Sequence, residues 1–331
     1  MPKAKLPVTN LLAVPSPKED DAIVNLADWV EVKALLQEDG NASQVDLSRA
    51  LEQAHAMDEE DAMALAGDVF KELLDRQDAC VPLTTKDHVW EYPFKMSASR
   101  TLLELRPGVK KSKKKGILYQ FLLVASRADM DSQRRYLENL DPTKVFESLC
   151  ADVLLNFWGG RNEHCGSMIF GTAARKAEQK KTFESNIDDL VRSLREGKGL
   201  KIGAKIPGGG DGRLDVVVWR VFADGRTGAL VGFGQCKTGI HWKDHLEKLV
   251  PANFSENYLA QPLVIAPMRV YMVPHRVDSS MWNQHTRAGG LLFDRCRLVQ
   301  YGFDVSPKVF KNCKTWLEAA IRRQREGKFA A

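Results

Sequence analysis

The chain reads as a mixed α/β protein: a central mixed sheet flanked by helices from about residue 136 onward, preceded by an α+β unit. Three observations predict this class. The composition, 44% apolar and 27% charged, is that of a folded chain and not of a disordered or fibrous one. After Asp141, segments with helical period alternate with short apolar runs of strand type. Two of those runs, Arg213–Phe222 (RLDVVVWRVF) and Ala229–Lys237 (ALVGFGQCK), are joined by a turn centred on Asp224-Gly225 and read as a hairpin. A length of 331 residues suits two domains of roughly 150 residues each. The expected organisation is a flexible arm over 1–19, an α+β domain over 20–135 with a sensing or docking role, and an α/β domain over 136–331.

The elements follow in order. Residues 1–19 are proline-rich and carry little apolar periodicity, so they read as a tail. From Asp21 to about Arg76 the apolar positions recur at helical spacing, through Ile23, Leu26, Trp29 and Val30 to Val69, Phe70 and Leu73. His88–Phe94 and Ile117–Ala125 (ILYQFLLVA) read as strands. Between them Lys110, Lys111, Lys113, Lys114 and Lys115 repel one another, which favours an exposed loop tip that could grip phosphates. Asp141-Pro142 is a helix start, with Asp as N-cap and Pro at the first helical position. Phe146, Leu149, Cys150, Val153, Leu154 and Phe157 then form one apolar face, and Gly159-Gly160 end the helix. A strand at Met168–Phe170, a helix at Phe183–Leu194 and a glycine-rich turn over 207–212 lead into the hairpin. A strand near Met268–Val273, a helix over Ser279–Ala288, a short strand Leu291–Phe293 and a final helix begun by Ser306-Pro307 complete the layout.

No run reaches the roughly 20 apolar residues of a membrane helix, and the first residues lack a secretory apolar core. The six cysteines are scattered without a CxxC pair, which argues against a zinc ribbon or disulfide framework and favours a reducing cytoplasm. Charge is unevenly placed. Residues 1–100 carry 10 Lys and Arg against 19 Asp and Glu, whereas the remainder carries 38 against 24. A basic two-thirds points to a polyanionic partner, with nucleic acid as the default.

The hairpin carries the chemistry. Strand alternation puts Asp215 on one face with Val217 and Trp219, and puts Phe233, Gln235 and Lys237 together on one face of the partner strand. A carboxylate in so apolar a strand needs a cation, a metal or hydrogen bonds. An Asp215–Lys237 pair could merely stitch the strands, but a polar Gln235 two positions before the lysine favours a site. The GGGDG run has no GK[ST] after it, so it is not a nucleotide-binding P-loop. His241 and His245, four apart as on one helix face and without a second ligand pair, read as helix-surface or phosphate-contacting residues and not as a zinc site.

Asp211-Gly212-Arg213-Leu214-Asp215-Val216-Val217 followed by Gln235-Cys236-Lys237 resembles the core motif of the PD-(D/E)xK nuclease superfamily, and most closely its Mrr-like branch with a QxK signature. That branch has an upstream helix of FE..L...L type, matched here by Phe146-Glu147-Ser148-Leu149 and Val153. The resemblance covers about Asp141 to the C-terminus. Two departures stand out: 68 residues separate Glu147 from Asp215, which implies an insertion, and Gln235 replaces the usual acid. The resemblance implies a restriction-endonuclease-like fold and a magnesium-dependent endonuclease, with Mn2+ as the alternative ion. It implies metal ligands at Asp215, Gln235, the Cys236 carbonyl and Glu147, and Lys237 beside the attacking water. Arg213 and the lysines at 110–115 would meet nucleic acid, DNA before RNA, in a prokaryotic restriction or antiviral defence setting. A partner protein on the N-terminal domain and a homo-oligomer are left open. The competing expectation is a catalytically silent nuclease-fold module that binds DNA or a partner protein.

Overall fold

A computed structural model describes residues 10–79, 92–106, 114–128, 135–170, 182–206 and 212–326. Contacts divide the chain into two compact units. The first comprises the described residues of Met1–Leu140, His275–Asp278 and Lys311–Ala331; the second comprises those of Asp141–Pro274 and Ser279–Phe310. Residues 311–326 thus group with the N-terminal unit, whereas the sequence reading assigned them to the α/β domain.

In the first unit, helices α1 (Ala22–Leu36), α2 (Gln44–His55), α3 (Glu59–Ala79) and α4 (Lys114–Arg127) accompany a small antiparallel sheet. Its strands β1 (Asn41–Ser43), β2 (Phe94–Met96) and β3 (Leu102–Leu105) lie in the order β1-β3-β2. Ser43 and Asp46 close a reciprocal capping box at the start of α2. A charged cluster lies in the core: the fully buried Arg76 of α3 pairs with Asp28 at 2.7 Å, Glu31 at 3.1 Å and Glu72 at 2.9 Å. Glu31 also accepts from the hydroxyls of Tyr119 and Tyr92. Such burial is tolerable because every charge meets partners.

Two expectations for this unit are corrected. Ile117–Ala125 is helical, because α4 is buried all round, with Phe121 against Trp316, and a run apolar on every side carries no period that separates helix from strand. Residues 10–14 are also anchored: the Leu12 carbonyl accepts from the Trp29 indole at 2.9 Å, and the Ala13 carbonyl accepts from Arg127 at 2.6 Å.

The second unit is built on a five-stranded sheet in the order β4-β5-β6-β7-β8, with β4 (Cys165–Ile169), β5 (Val216–Arg220), β6 (Leu230–Cys236), β7 (Met268–Met272) and β8 (Leu291–Phe293). The first three strands are antiparallel and the last three parallel, so the sheet is mixed. Helix α5 (Pro142–Phe157) begins where Asp141 accepts from the Thr143 N–H at 3.0 Å. It packs close over β6. A Cβ on Gly232 would fall 2.9 Å from the Trp158 ring and equally close to Val218. Helices α6 (Phe183–Leu194) and α7 (Pro251–Tyr258) cover the other face, where Ile187, Leu190 and Phe254 join Val217, Val231 and Phe233 in one apolar cluster. Helices α8 (Trp282–Gly289), α9 (Arg295–Gln300) and α10 (Pro307–Arg325) complete the chain. Cys296 in α9 is disulfide-bonded, a bridge that the scattered cysteine spacing did not suggest.

Candidate functional site

The site is assembled where β5 begins and β6 ends. Asp215 immediately precedes β5 and is already held in the ladder: its N–H donates to the Gly234 carbonyl at 3.0 Å, and its own carbonyl accepts from Phe170 N–H at 2.8 Å. The paired register ends with Val216 opposite Gly234, and Asp215 lies just beyond it, at the same end of the strand pair as Gln235. Both are withdrawn from solvent, Asp215 being 9% exposed and Gln235 2%. Asp215 Oδ2 accepts from the Cys236 N–H at 2.8 Å, which fixes the carboxylate across the strand pair. Arg213, just upstream, has a left-handed backbone with φ of +69°, unusual for a residue with a side chain and a small store of strain beside the site.

The side-chain amide oxygen of Gln235 is buried and has no hydrogen-bond partner among the described residues. Leaving such an oxygen unsatisfied costs about 1–3 kcal/mol, so the geometry invites a ligand there. Lys237 follows at the strand end, its N–H donating to Met272 at 3.0 Å while its side chain is partly exposed. Cys236 has the opposite parity, and its thiol meets Cys150 of α5. Burial foremost, then Cys150 and the carboxylates of Asp215 and Glu147, push the Cys236 thiol well above its ordinary range, so it stays neutral. Glu147 lies one helical turn before Cys150 and acts on the same two thiols as Asp215. Both carboxylates therefore flank the same end of β6.

Sequence reasoning did not single out Tyr271, Cys150 or Lys248. Tyr271 of β7 sits beside Gln235 in the parallel register, and its hydroxyl donates to the Trp242 carbonyl at 2.7 Å, tying down the segment after Lys237. Burial and then the charge of Asp215 raise its pKa far above the usual phenol range. No signal in the sequence pairs Tyr271 with Gln235, because a crossover of more than 30 residues separates the two strands. The segment 242–245 forms a turn of 3-10 helix, not the helix the two histidines suggested.

No family model matches this chain. No curated protein and no solved structure matches it either. Its functional reading therefore rests on the residues and geometry above.

A divalent ion fits the donors in kind. Asp215, Gln235 and Glu147 offer hard oxygen atoms, the set magnesium prefers, and magnesium is commonly held by one or two carboxylates with the remaining positions left to water and substrate. Among the described residues, however, no group of three or more His, Cys, Asp and Glu side chains is positioned to hold a metal. The lysine cluster is only partly placed. Lys110, Lys111 and Lys113 lie outside the described residues, while Lys114 and Lys115 start α4 and are not part of a loop tip. Lys115 is half-buried, and burial lowers its pKa.

Proposed function

We propose that the second unit is a magnesium-dependent nuclease domain of PD-(D/E)xK type that hydrolyses phosphodiester bonds, DNA before RNA. One observation carries this reading: a carboxylate (Asp215), a buried amide oxygen without a partner among the described residues (Gln235) and a lysine (Lys237) lie at one end of two paired strands. A role in prokaryotic antiviral defence rests on the sequence resemblance alone and belongs to the same proposal.

In this reading Asp215 and Gln235 hold the ion, and Glu147 supports it directly or through water. The bound ion would neutralise phosphate charge and lower the pKa of a water molecule. The Cys236 N–H holds the Asp215 carboxylate in one orientation, so its reorganisation cost is met on folding. The Lys237 ammonium stabilises charge on the phosphorane or orients the attacking water. The Cys236 thiol, neutral and facing α5, takes no part.

A silent nuclease-fold module that binds DNA or a protein is the second reading, favoured by the lack of a third His, Cys, Asp or Glu ligand among the described residues. Plasmid cleavage separates the two. The wild type is expected to nick or linearise plasmid with Mg2+ or Mn2+ and not with EDTA. Asp215→Asn and Lys237→Met, with unchanged circular dichroism, should each cut at least about 10²–10³-fold more slowly. Wild-type cutting by either variant would relocate the chemistry, and DNA binding with no cutting under any divalent ion would select the second reading.

A further inference from the structure

Three cationic side chains and a histidine gather beside the site from three separate segments, the cations all acting on the histidine. Lys237 ends β6, Arg213 precedes β5, and His245 and Lys248 lie on the turn that follows β6. His245 Nδ1 is 3.0 Å from Lys248 Nζ, and Arg213 Nη1 donates to the Lys248 carbonyl at 3.3 Å. Among the described residues no carboxylate bridges Lys237 or Lys248. Asp244, in the same turn, is exposed and turns toward His241 at 4.0 Å. The neutral ring of His245 can accept from Lys248, while the charges of Lys237, Lys248 and Arg213 around it repel one another, and an anion among them would relieve that repulsion.

We infer that Arg213, His245 and Lys248 form a phosphate subsite adjoining Lys237, which seats a backbone phosphate of a nucleic-acid strand next to the one under attack. The identity of the ligand rests on the nuclease reading; the subsite itself rests on the convergence of cations. Two adjoining phosphate positions, this one and the one at Lys237, also give the strand a direction, which a lone lysine cannot do.

The charge environment supplies a signature. His245 is faced by Lys248, Lys237 and Arg213, with Asp244 opposing them. Burial first, and then Lys248 and Lys237, lower its pKa below the ordinary histidine value. A phosphate beside it reverses the like-charge effect and raises that pKa, so binding takes up a proton. The complex then holds more protons than the free protein, and affinity must increase as pH falls through the histidine range.

The test uses the full chain, EDTA and a 20-base-pair duplex, with affinity measured from pH 5.5 to 8 and over a salt series. Wild-type binding should tighten toward low pH. His245→Gln should bind with little pH dependence, and Lys248→Met should bind several-fold more weakly with a log–log salt slope shallower by about 0.9. Lys248 is exposed, so its replacement leaves the fold alone even if the histidine variant is unstable. An independent readout is the His245 ring signal by NMR, whose titration midpoint should move upward when duplex is added. Wild-type pH and salt dependence in both variants, an unmoved midpoint, or no duplex binding at all would overturn the subsite. Plasmid cleavage in Mg2+ separates the two levels. These binding signatures without cleavage would remove the nuclease reading and keep the subsite; cleavage with wild-type binding in both variants would do the reverse.

Discussion

Replacing Gln235 with Glu tests whether the buried end of β6 is built to hold a cation. The substitution swaps an amide for a carboxylate of nearly the same shape, 2% exposed and at the end of the strand pair where Asp215 sits. Side chains that meet across an antiparallel strand pair have Cβ atoms about 5 Å apart. Two unit charges at that distance repel by about 3 kcal/mol at an effective dielectric of about 20. The group can escape by taking up a proton, which for a glutamate at pH 7 costs at most about 3.7 kcal/mol, so the two limits agree. The variant should therefore be about 3 kcal/mol less stable at pH 7 in EDTA, a drop in Tm of about 6–12 °C for a unit of this size. The introduced carboxyl would have a raised pKa in the folded state. Its penalty is accordingly absent below about pH 4.3, near 1 kcal/mol at pH 5, and grows as pH rises. An ion at 100 times its Kd returns about 2.7 kcal/mol, so millimolar Mg2+ should recover most of the loss, and cleavage should be retained or increased. Differential scanning calorimetry at pH 5 and 7, with EDTA or Mg2+, reads all of this. An unchanged Tm in EDTA would mean that residue 235 does not face Asp215. A loss that neither Mg2+ nor Mn2+ restores would mean that the pair holds no cation.

Two further outcomes follow from packing around the site. Gly232→Ala drives a methyl to within 2.9 Å of both the Trp158 indole and Val218, so it should cost about 1–3 kcal/mol by forcing α5 off the sheet, measured as a lower denaturant midpoint; a neutral result would refute the close contact. Tyr271→Phe leaves the Trp242 carbonyl without its 2.7 Å donor in a buried setting, costing about 1–3 kcal/mol. Because that bond tethers the segment after Lys237, kcat should fall with it; wild-type kcat in a destabilised variant would restrict Tyr271 to a structural role.

Much of the site's local logic can be read from the sequence, because it depends on periods of two and on caps. Asp141-Pro142 starts α5, Phe183–Leu194 is α6, and the hairpin forms as β5 and β6 with strands a few residues shorter than expected. Strand alternation alone separates Gln235 and Lys237 from the Cys236 thiol, and the thiol indeed turns to Cys150 on the opposite side. Where periodicity is silent, the sequence misleads. ILYQFLLVA is apolar on every side, so nothing local marks it as the buried helix α4, and only its packing against residues as distant as Trp316 decides. The same holds for residues 311–326, whose amphipathic pattern demands an apolar partner but does not say which unit supplies it. Register and crossover are tertiary properties as well. That Asp215 and Gln235 share one end of the strand pair, that Tyr271 lies beside Gln235, and that Arg213 reaches the Lys248 carbonyl all require chain segments far apart in sequence to be brought together, and the pairing energy that does so is spread over a whole sheet and not encoded in any one stretch of residues.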